Sequence, residues 1–217
     1  FDIVKLLLAY PSKPLLNLNA GTNDGFTAFH IASWFGRLNI VELLLNHPTQ
    51  HPLDLNTTAE GGMTPLYSAC IGRHFNIVRL LLAHPSKPPF NLNVTDDTGM
   101  TALYLASCFG HLDIVQALLN YPTEHPIDLN ATDRDGCTAL HVASSNGHLA
   151  VVKELLAHGA APNARTRVGE TALMMASLIK PWHDNDLRER KCAAKSYLLS
   201  LPDIDLEGYS DEPDPGL

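Results

Sequence analysis

The sequence predicts an all-α solenoid, in which helix–turn–helix units stack and each is closed by a return loop. Three observations carry this reading. A short motif opening on Gly-x-Thr recurs as GFTAFH at Gly25, GMTPLY at Gly62, GMTALY at Gly99, GCTALH at Gly136 and GETALM at Gly169. An apolar run recurs in register with it, as IVKLLL from Ile3, IVELLL from Ile40, IVRLLL from Ile77, IVQALL from Ile114 and VVKELL from Val151. The opening motifs stand 37, 37, 37 and 33 residues apart. A fixed period of this size marks a repeat array whose units bury their apolar faces on one another.

The unit from Gly136 to Asn163 shows each element most clearly. Thr138 can cap a first helix, its hydroxyl accepting an orphan backbone N–H. Ala139, Leu140 and Ala143 form the small, apolar face of that helix. Asn146 and Gly147 end it, because a left-handed residue after a helix costs glycine least. Val151, Val152, Leu155 and Leu156 make the buried stripe of a second helix, which His158 and Gly159 close.

These residues resemble the ankyrin repeat family, whose pattern is Gly-x-Thr-Pro-Leu-His, two helices, then Gly-Ala-Asp-x-Asn in a loop. The resemblance covers roughly residues 1–206. It implies antiparallel helix pairs stacked side by side, with hairpin loops projecting to give an L-shaped section and a concave face. It divides the chain into a half repeat at 1–24, repeats at 25–61, 62–98, 99–135 and 136–168, an extended C-terminal capping repeat at 169–206 and an acidic flexible tail or linker at 207–217.

The departures from the pattern are informative. The family histidine stands at His30 and His141 but is replaced by Tyr67, Tyr104 and Met174, so polar bridging between neighbours is expected to be uneven. Arg73 occupies the place of Gly36, Gly110 and Gly147, so that helix end is either closed differently or strained. The first three full repeats carry four extra residues before the hairpin. Asn19, Asn56, Asn93, Asn130 and Asn163 fall at the family's hairpin asparagine, whose side chain ties one hairpin to the next.

Taken along the chain, residues 1–19 are a second helix and loop without their first helix. An exposed apolar flank and a parent protein extending upstream are expected there. The same stretch recurs at 75–93, an offset of two repeats, so the loops alternate between a PSKP and a PT-x-HP type. Pro11, Pro14, Pro48, Pro52, Pro85, Pro88, Pro89, Pro122 and Pro126 lie in these loops, which are expected to be ordered and stacked on the outer edge. In the last unit, ten extra residues fall within 178–191. Pro181 should break the first helix there, and Leu187 to Leu199 reads as the final second helix, with Lys191, Lys195 and the LRER run as its polar outer face.

Composition narrows the function. The net charge of −8 is concentrated at the C-terminus, where Asp203, Asp205, Glu207, Asp211, Glu212 and Asp214 have no basic neighbour. The repeat body is nearly neutral and offers no electrostatic footprint for nucleic acid. No apolar run reaches the roughly 18–20 residues of a membrane span. Cys70, Cys108, Cys137 and Cys192 form no C-x-x-C pair, and Cys70 reads as a core residue, which favours a reducing, intracellular and cytoplasmic location. Of the 11 histidines, all but His183 sit at repeat positions, too far apart to share a metal. No nucleophile–base set or phosphate cradle is present. No metal, no cofactor and no catalytic activity are expected.

In the ankyrin family, partners usually meet the hairpin tips and the exposed positions of the first helices. Carried to this sequence, those positions are strongly apolar in the first three full repeats and polar in the fourth. The candidate partner-binding residues are Phe26, Trp34, Phe35, Met63, Ile71, Met100, Cys108 and Phe109, with Asp97 and Arg134 at the tips. The competing reading for Phe35 and Phe109 is local packing under the longer loops. For Phe26, Met63 and Met100 it is shielding of hairpin backbone. Trp182 is a rival anchor. Asp24, Glu60, Asp96, Asp97, Asp133 and Asp135 are expected to form a negative rim favouring a basic rim on the partner. The implied function is non-enzymatic binding of another protein or peptide through the concave face by a monomer. The alternative is a substrate-recruiting part of a larger enzyme or effector whose catalytic domain lies elsewhere.

Overall fold

Each first helix opens the same way. Thr27, Thr64, Thr101, Thr138 and Thr171 have extended backbones, and each hydroxyl accepts the N–H three residues on. This cap satisfies a donor that the helix cannot satisfy itself. In the computed structural model, which describes residues 2–9, 17–47, 53–85, 90–122, 125–178 and 183–210, the caps lead into α2 (Ala28–Trp34), α4 (Pro65–Ile71), α6 (Ala102–Cys108), α8 (Ala139–Ser145) and α10 (Ala172–Ser177). The second helices are α3 (Leu38–Leu45), α5 (Phe75–Ala83), α7 (Leu112–Leu119), α9 (Leu149–Ala157) and α11 (Asn185–Leu199), with α1 (Asp2–Ala9) before the first hairpin. The described residues contain no β-strand beyond single bridges at the hairpins.

The helices form two rows. First helices pack on first helices from α2 to α10, and second helices pack on second helices from α3 to α11. Between the rows lies a continuous core. Phe29, Leu66, Leu103, Leu140 and Leu173 enter it from the first helices, and Leu44, Leu81, Leu118, Leu155 and Leu198 from the second, all nearly fully buried. Each such side chain contributes about 1.5–3 kcal/mol. The α1 helix is tied on by His47, whose Nε2 donates to the Leu8 carbonyl at 3.1 Å.

The hairpins stack through one backbone bond per neighbour. Glu60 donates to the Asp24 carbonyl, Asp97 to Gly61, Arg134 to Thr98 and Arg167 to Asp135, at 2.7–2.9 Å. Below them, Asn19, Asn56, Asn93, Asn130 and Asn163 each accept a backbone N–H from the following loop, at 2.8–3.3 Å. The expected inter-hairpin role of these asparagines is realised at all five positions.

Arg73 adopts the left-handed conformation of the glycines it replaces, with φ 64 beside 67, 73 and 69 for Gly36, Gly110 and Gly147. Of the two expected outcomes the helix end is therefore strained, because a Cβ clashes with the local backbone there. A Cβ at Gly36 would collide with the His74 ring, and one at Gly110 would lie 2.5 Å from His148 Nδ1. At Arg73 a Cβ occupies this space. The next ring in the series, His111, leaves its buried Nε2 without a partner, while His74 and His148 donate to the Trp34 and Cys108 carbonyls.

Three expectations are corrected at the C-terminal end. Lys191 does not belong to a polar outer face; it is 2% exposed, and its ammonium donates to the Leu178 carbonyl. The α10 helix ends at Ser177, leaving a terminal carbonyl facing α11 that needs a donor. Residues 207–210 do not leave the body as a tail. Glu207 meets Arg165, and Tyr209 packs against the core with the Lys195 ammonium 5.9 Å from its ring. The α11 helix begins at Asn185 rather than Leu187 because Asp184 caps it, accepting the Leu187 N–H at 2.7 Å. Pro181, Trp182 and most of the loop prolines fall outside the described residues; Phe90, beside one loop, is buried and meets Tyr121 edge-on at 6.4 Å.

Candidate functional site

Helical geometry puts residues four apart on one face. Beginning just after each left-handed glycine, this gives parallel columns: Phe26–His30–Trp34, Met63–Tyr67–Ile71, Met100–Tyr104–Cys108 and Cys137–His141–Ser145. The middle member of every column is buried and anchors the next hairpin. The outer members are half-buried or exposed and make the surface.

The anchors are of two chemical kinds. His30 Nδ1 accepts the Thr27 N–H, and its Nε2–H is shared between the Thr57 and Met63 carbonyls, both at 3.1 Å. His141 repeats this with Thr138 and the Glu170 carbonyl. Burial holds both imidazoles below their usual pKa. At Tyr67 and Tyr104 the bridge is made differently. Each phenol donates to a carboxylate of the next hairpin, Asp96 at 2.6 Å and Asp133 at 2.7 Å. At the two tyrosines the expected unevenness of bridging is thus a change of chemistry rather than a loss. At the hairpin positions equivalent to Asp96 and Asp133, the repeats following His30 and His141 carry Ala59 and Thr166.

Around the two tyrosines lies a second apolar cluster, separate from the main core. Tyr67, Tyr104, Leu105 and Val142 form its buried part, and Met63, Ile71, Met100, Cys108 and Cys137 pack on it half-exposed. Four predicted site residues are thereby brought together. Phe26 and Trp34 continue the surface on α2, their rings 6.3 Å apart, and Trp34 is 39% exposed. Phe35 and Phe109 are helix C-caps displaced toward the turns. Phe109 stacks on His111 at 5.9 Å, whereas Phe35 is 63% exposed.

Sequence reasoning missed Ile31. Its counterparts Leu105 and Val142 are buried, whereas Ile31 is 44% exposed, and Ala28 is exposed where Ala102 and Ala139 are buried. These two residues lie on the flank of α2 opposite α4, where no described first helix packs. They occupy positions that are core in the later repeats, and only the absence of a neighbour among the described residues exposes them.

The charged rim differs from expectation. Asp96 and Asp133 are turned inward: Oδ1 of Asp96 accepts the N–H groups of Thr98 and Met100, and Oδ1 of Asp133 those of Asp135 and Cys137. Burial alone would raise the Asp96 pKa, but the hydrogen bonds from Thr98, Tyr67 and Met100 outweigh it and hold the carboxyl low. The exposed tip acids are Asp24, Glu60, Asp97 and Asp135. Arg134 stands among them, its guanidinium donating to the Asp97 carbonyl.

The thiols in and beneath this surface are held in their protonated form. Burial pushes the Cys70 thiol up to about 12 and Cys137 to about 11, and raises Cys108, so each stays protonated and a poor nucleophile near neutrality. Among the described residues no His, Cys, Asp and Glu group could hold a metal ion, and no helix is long and apolar enough to cross a membrane.

Family models described as ankyrin repeats match residues 1–58 and 49–133 (three copies) and 123–176 (many copies). The chain belongs to the ankyrin repeat family. Ankyrin repeats are generally protein–protein interaction modules, and are typically non-catalytic. The matches end at Ala176, before the insertion and α11, although α11 packs on α9 and α10 as the last second helix of the ankyrin stack. A search of curated proteins gave no match to the chain.

Proposed function

We propose that the protein is a non-enzymatic, monomeric binding module that takes another protein or a peptide segment on the face made by the first helices and hairpin tips, the concave face of an ankyrin stack. The observation that carries this reading is the second apolar cluster. Met63, Ile71, Met100 and Cys108 remain half-exposed around Tyr67 and Tyr104, and Trp34 is exposed on the neighbouring α2. Aromatic residues and methionine at such a surface favour a partner. The columns are fixed by the anchors beneath them, so binding orders few side chains. The four free cysteines fit a reducing, cytoplasmic location.

The test is capture of partners from cell extract by the wild type, by Trp34→Ala with Ile71→Ala, and by Arg79→Ala on the exposed side of α5. Circular dichroism first establishes equal helix content. Partners retained by wild type and Arg79→Ala but lost by the double variant support the proposal. The same partners retained by all three place binding elsewhere.

A further inference from the structure

The turn edge, at the other end of the first helices from the hairpins, departs from its own pattern at one place. Three first helices end on a larger residue followed by a left-handed glycine: Phe35–Gly36, Phe109–Gly110 and Asn146–Gly147. In the repeat that begins at Gly62 the order is inverted to Gly72–Arg73, and Arg73 carries the left-handed conformation. Strain of this kind persists only where the surroundings impose it, and it gathers at ligand sites. A cavity of about 270 Å³ opens at this turn. Gly36 and Leu38 line it on one side, and Arg73, His74, Phe75 and Asn76 on the other. The His74 Nε2 donates to the Trp34 carbonyl at 2.9 Å, which holds the ring over Gly36 as a fixed wall. The other polar groups are donors. Arg73 takes part in no ion pair among the described residues. The Leu38, Leu112 and Leu149 N–H groups donate to the carbonyls of Gly36, Gly110 and Gly147 at 2.9–3.0 Å, whereas Phe75, at the equivalent position, makes no such bond to Arg73. Asn76 adds an exposed amide. No carboxylate lines the cavity, and α2, α4 and α5 contain no acid. The acids of the adjoining second helices are Glu42 on α3 and Asp113 on α7, and Oδ1 of Asp113 accepts the Ile114 N–H.

We infer that this cavity is a contact point on the turn edge that takes the carboxylate of an aspartate or glutamate side chain of a protein partner. Donors gathered without an anionic acceptor suit an oxyanion. Arg37, exposed beside Gly36, does not line the cavity, so its wall presents one full positive charge. That matches a single carboxylate better than a phosphoryl group, which carries a charge of about −1.5 to −2. The guanidinium holds the carboxylate through two parallel N–H···O bonds, a planar match that lysine cannot make. The Phe75 N–H and the Asn76 amide complete the set. The site stands apart from the first-helix face and does not depend on binding there.

The experiment is an NMR titration of the intact chain, followed on the Arg73 side-chain Nε–H and the Phe75 and Asn76 backbone amides. The probes are N-acetyl-aspartate amide, its asparagine counterpart and inorganic phosphate, at constant low ionic strength. The expected result is a saturable shift of these signals with the aspartate probe and none with the asparagine probe. Affinity should fall at least about tenfold in Arg73→Gly, with Arg73→Lys in between because it keeps the charge without the paired geometry. Added salt should weaken the wild-type response. Arg73→Gly relieves the left-handed strain, so its loss of binding is not a loss of folding, and a thermal melt confirms this. No saturable shift, or an equal response in Arg73→Gly, overturns the inference. Tighter binding of phosphate than of the aspartate probe overturns the carboxylate assignment.

Discussion

The Tyr67 hydroxyl donates to Asp96 Oδ2 at 2.6 Å, across 29 residues of sequence, and Tyr104 meets Asp133 in the same way one repeat on. The bond couples a first helix to the hairpin that follows it. Asp96 also organises its own hairpin through Thr98 and Met100, so the pair links two levels of structure. Hydrogen bonds to charged groups are worth about 1.5–3 kcal/mol, less where partly exposed. Tyr67→Phe should therefore lower stability by about 1–2 kcal/mol, and Asp96→Ala by more, since it also releases the two hairpin N–H groups. Urea unfolding followed by circular dichroism measures both. Equal stability of Tyr67→Phe and wild type would show that the bridge contributes nothing.

Arg73 should be replaceable with profit. A left-handed non-glycine residue costs about 1–2 kcal/mol, and glycine returns about 0.5–1 of that as backbone entropy. Arg73→Gly also clears the space that the His74 and His148 rings use at the equivalent turns. We expect a gain of about 0.5–1 kcal/mol, and a loss for the reverse change Gly110→Arg, which drives a Cβ into His148. A thermal melt of each variant settles it; a lower midpoint for Arg73→Gly would mean that the arginine makes compensating contacts.

Much of this architecture was legible because its physics is local. Threonine caps, left-handed glycines and apolar stripes each need particular residues at fixed spacing, so the period writes itself into the chain. The Tyr–Asp bridges were not legible in this way. Substitution of the family histidine was visible, but its carboxylate partner stands a hairpin away and read as part of an acidic rim. Lys191 was misread because charge on a terminal helix suggests a solvated face. Only the early end of α10 reveals the carbonyl that draws it inward. Of the predicted surface residues, Met63, Ile71, Met100 and Cys108 gather on one cluster, whereas Phe35 and Phe109 diverge because a C-cap position turns away from the column.

Stability should fall on acidification before any carboxylate titrates. His30 and His141 use Nδ1 as an acceptor for the Thr27 and Thr138 N–H groups, a role that protonation abolishes. Burial lowers the pKa of both, and of His111 and His148. A histidine whose folded pKa lies below its unfolded value of about 6.5 contributes stability fully above that value. The contribution drains away as pH falls from there toward the folded pKa, because the unfolded chain binds more protons. The urea midpoint should thus be lower at pH 5.5 than at pH 7.5. Identical midpoints would indicate that these rings accept protons in the folded state without penalty.

Trp34 and Phe35 are neighbours in sequence but should differ in their effect on binding. Trp34 closes the Phe26 column, its indole 6.3 Å from the Phe26 ring, on the helix that packs against α4 and its Ile71. Phe35 caps the helix on the turn side and is the more exposed of the two. Exposure alone would favour Phe35 as the anchor. Hot spots, however, sit where surrounding contacts exclude water once the partner is seated, and an isolated side chain on the turn lacks that surround. With any peptide or protein that binds the first-helix face, Trp34→Ala should weaken affinity by about 2 kcal/mol or more, roughly thirtyfold, and Phe35→Ala by less than about 0.5 kcal/mol. Isothermal titration of the two single variants measures this directly. A larger loss at Phe35 would move the contact surface from the columns to the turns.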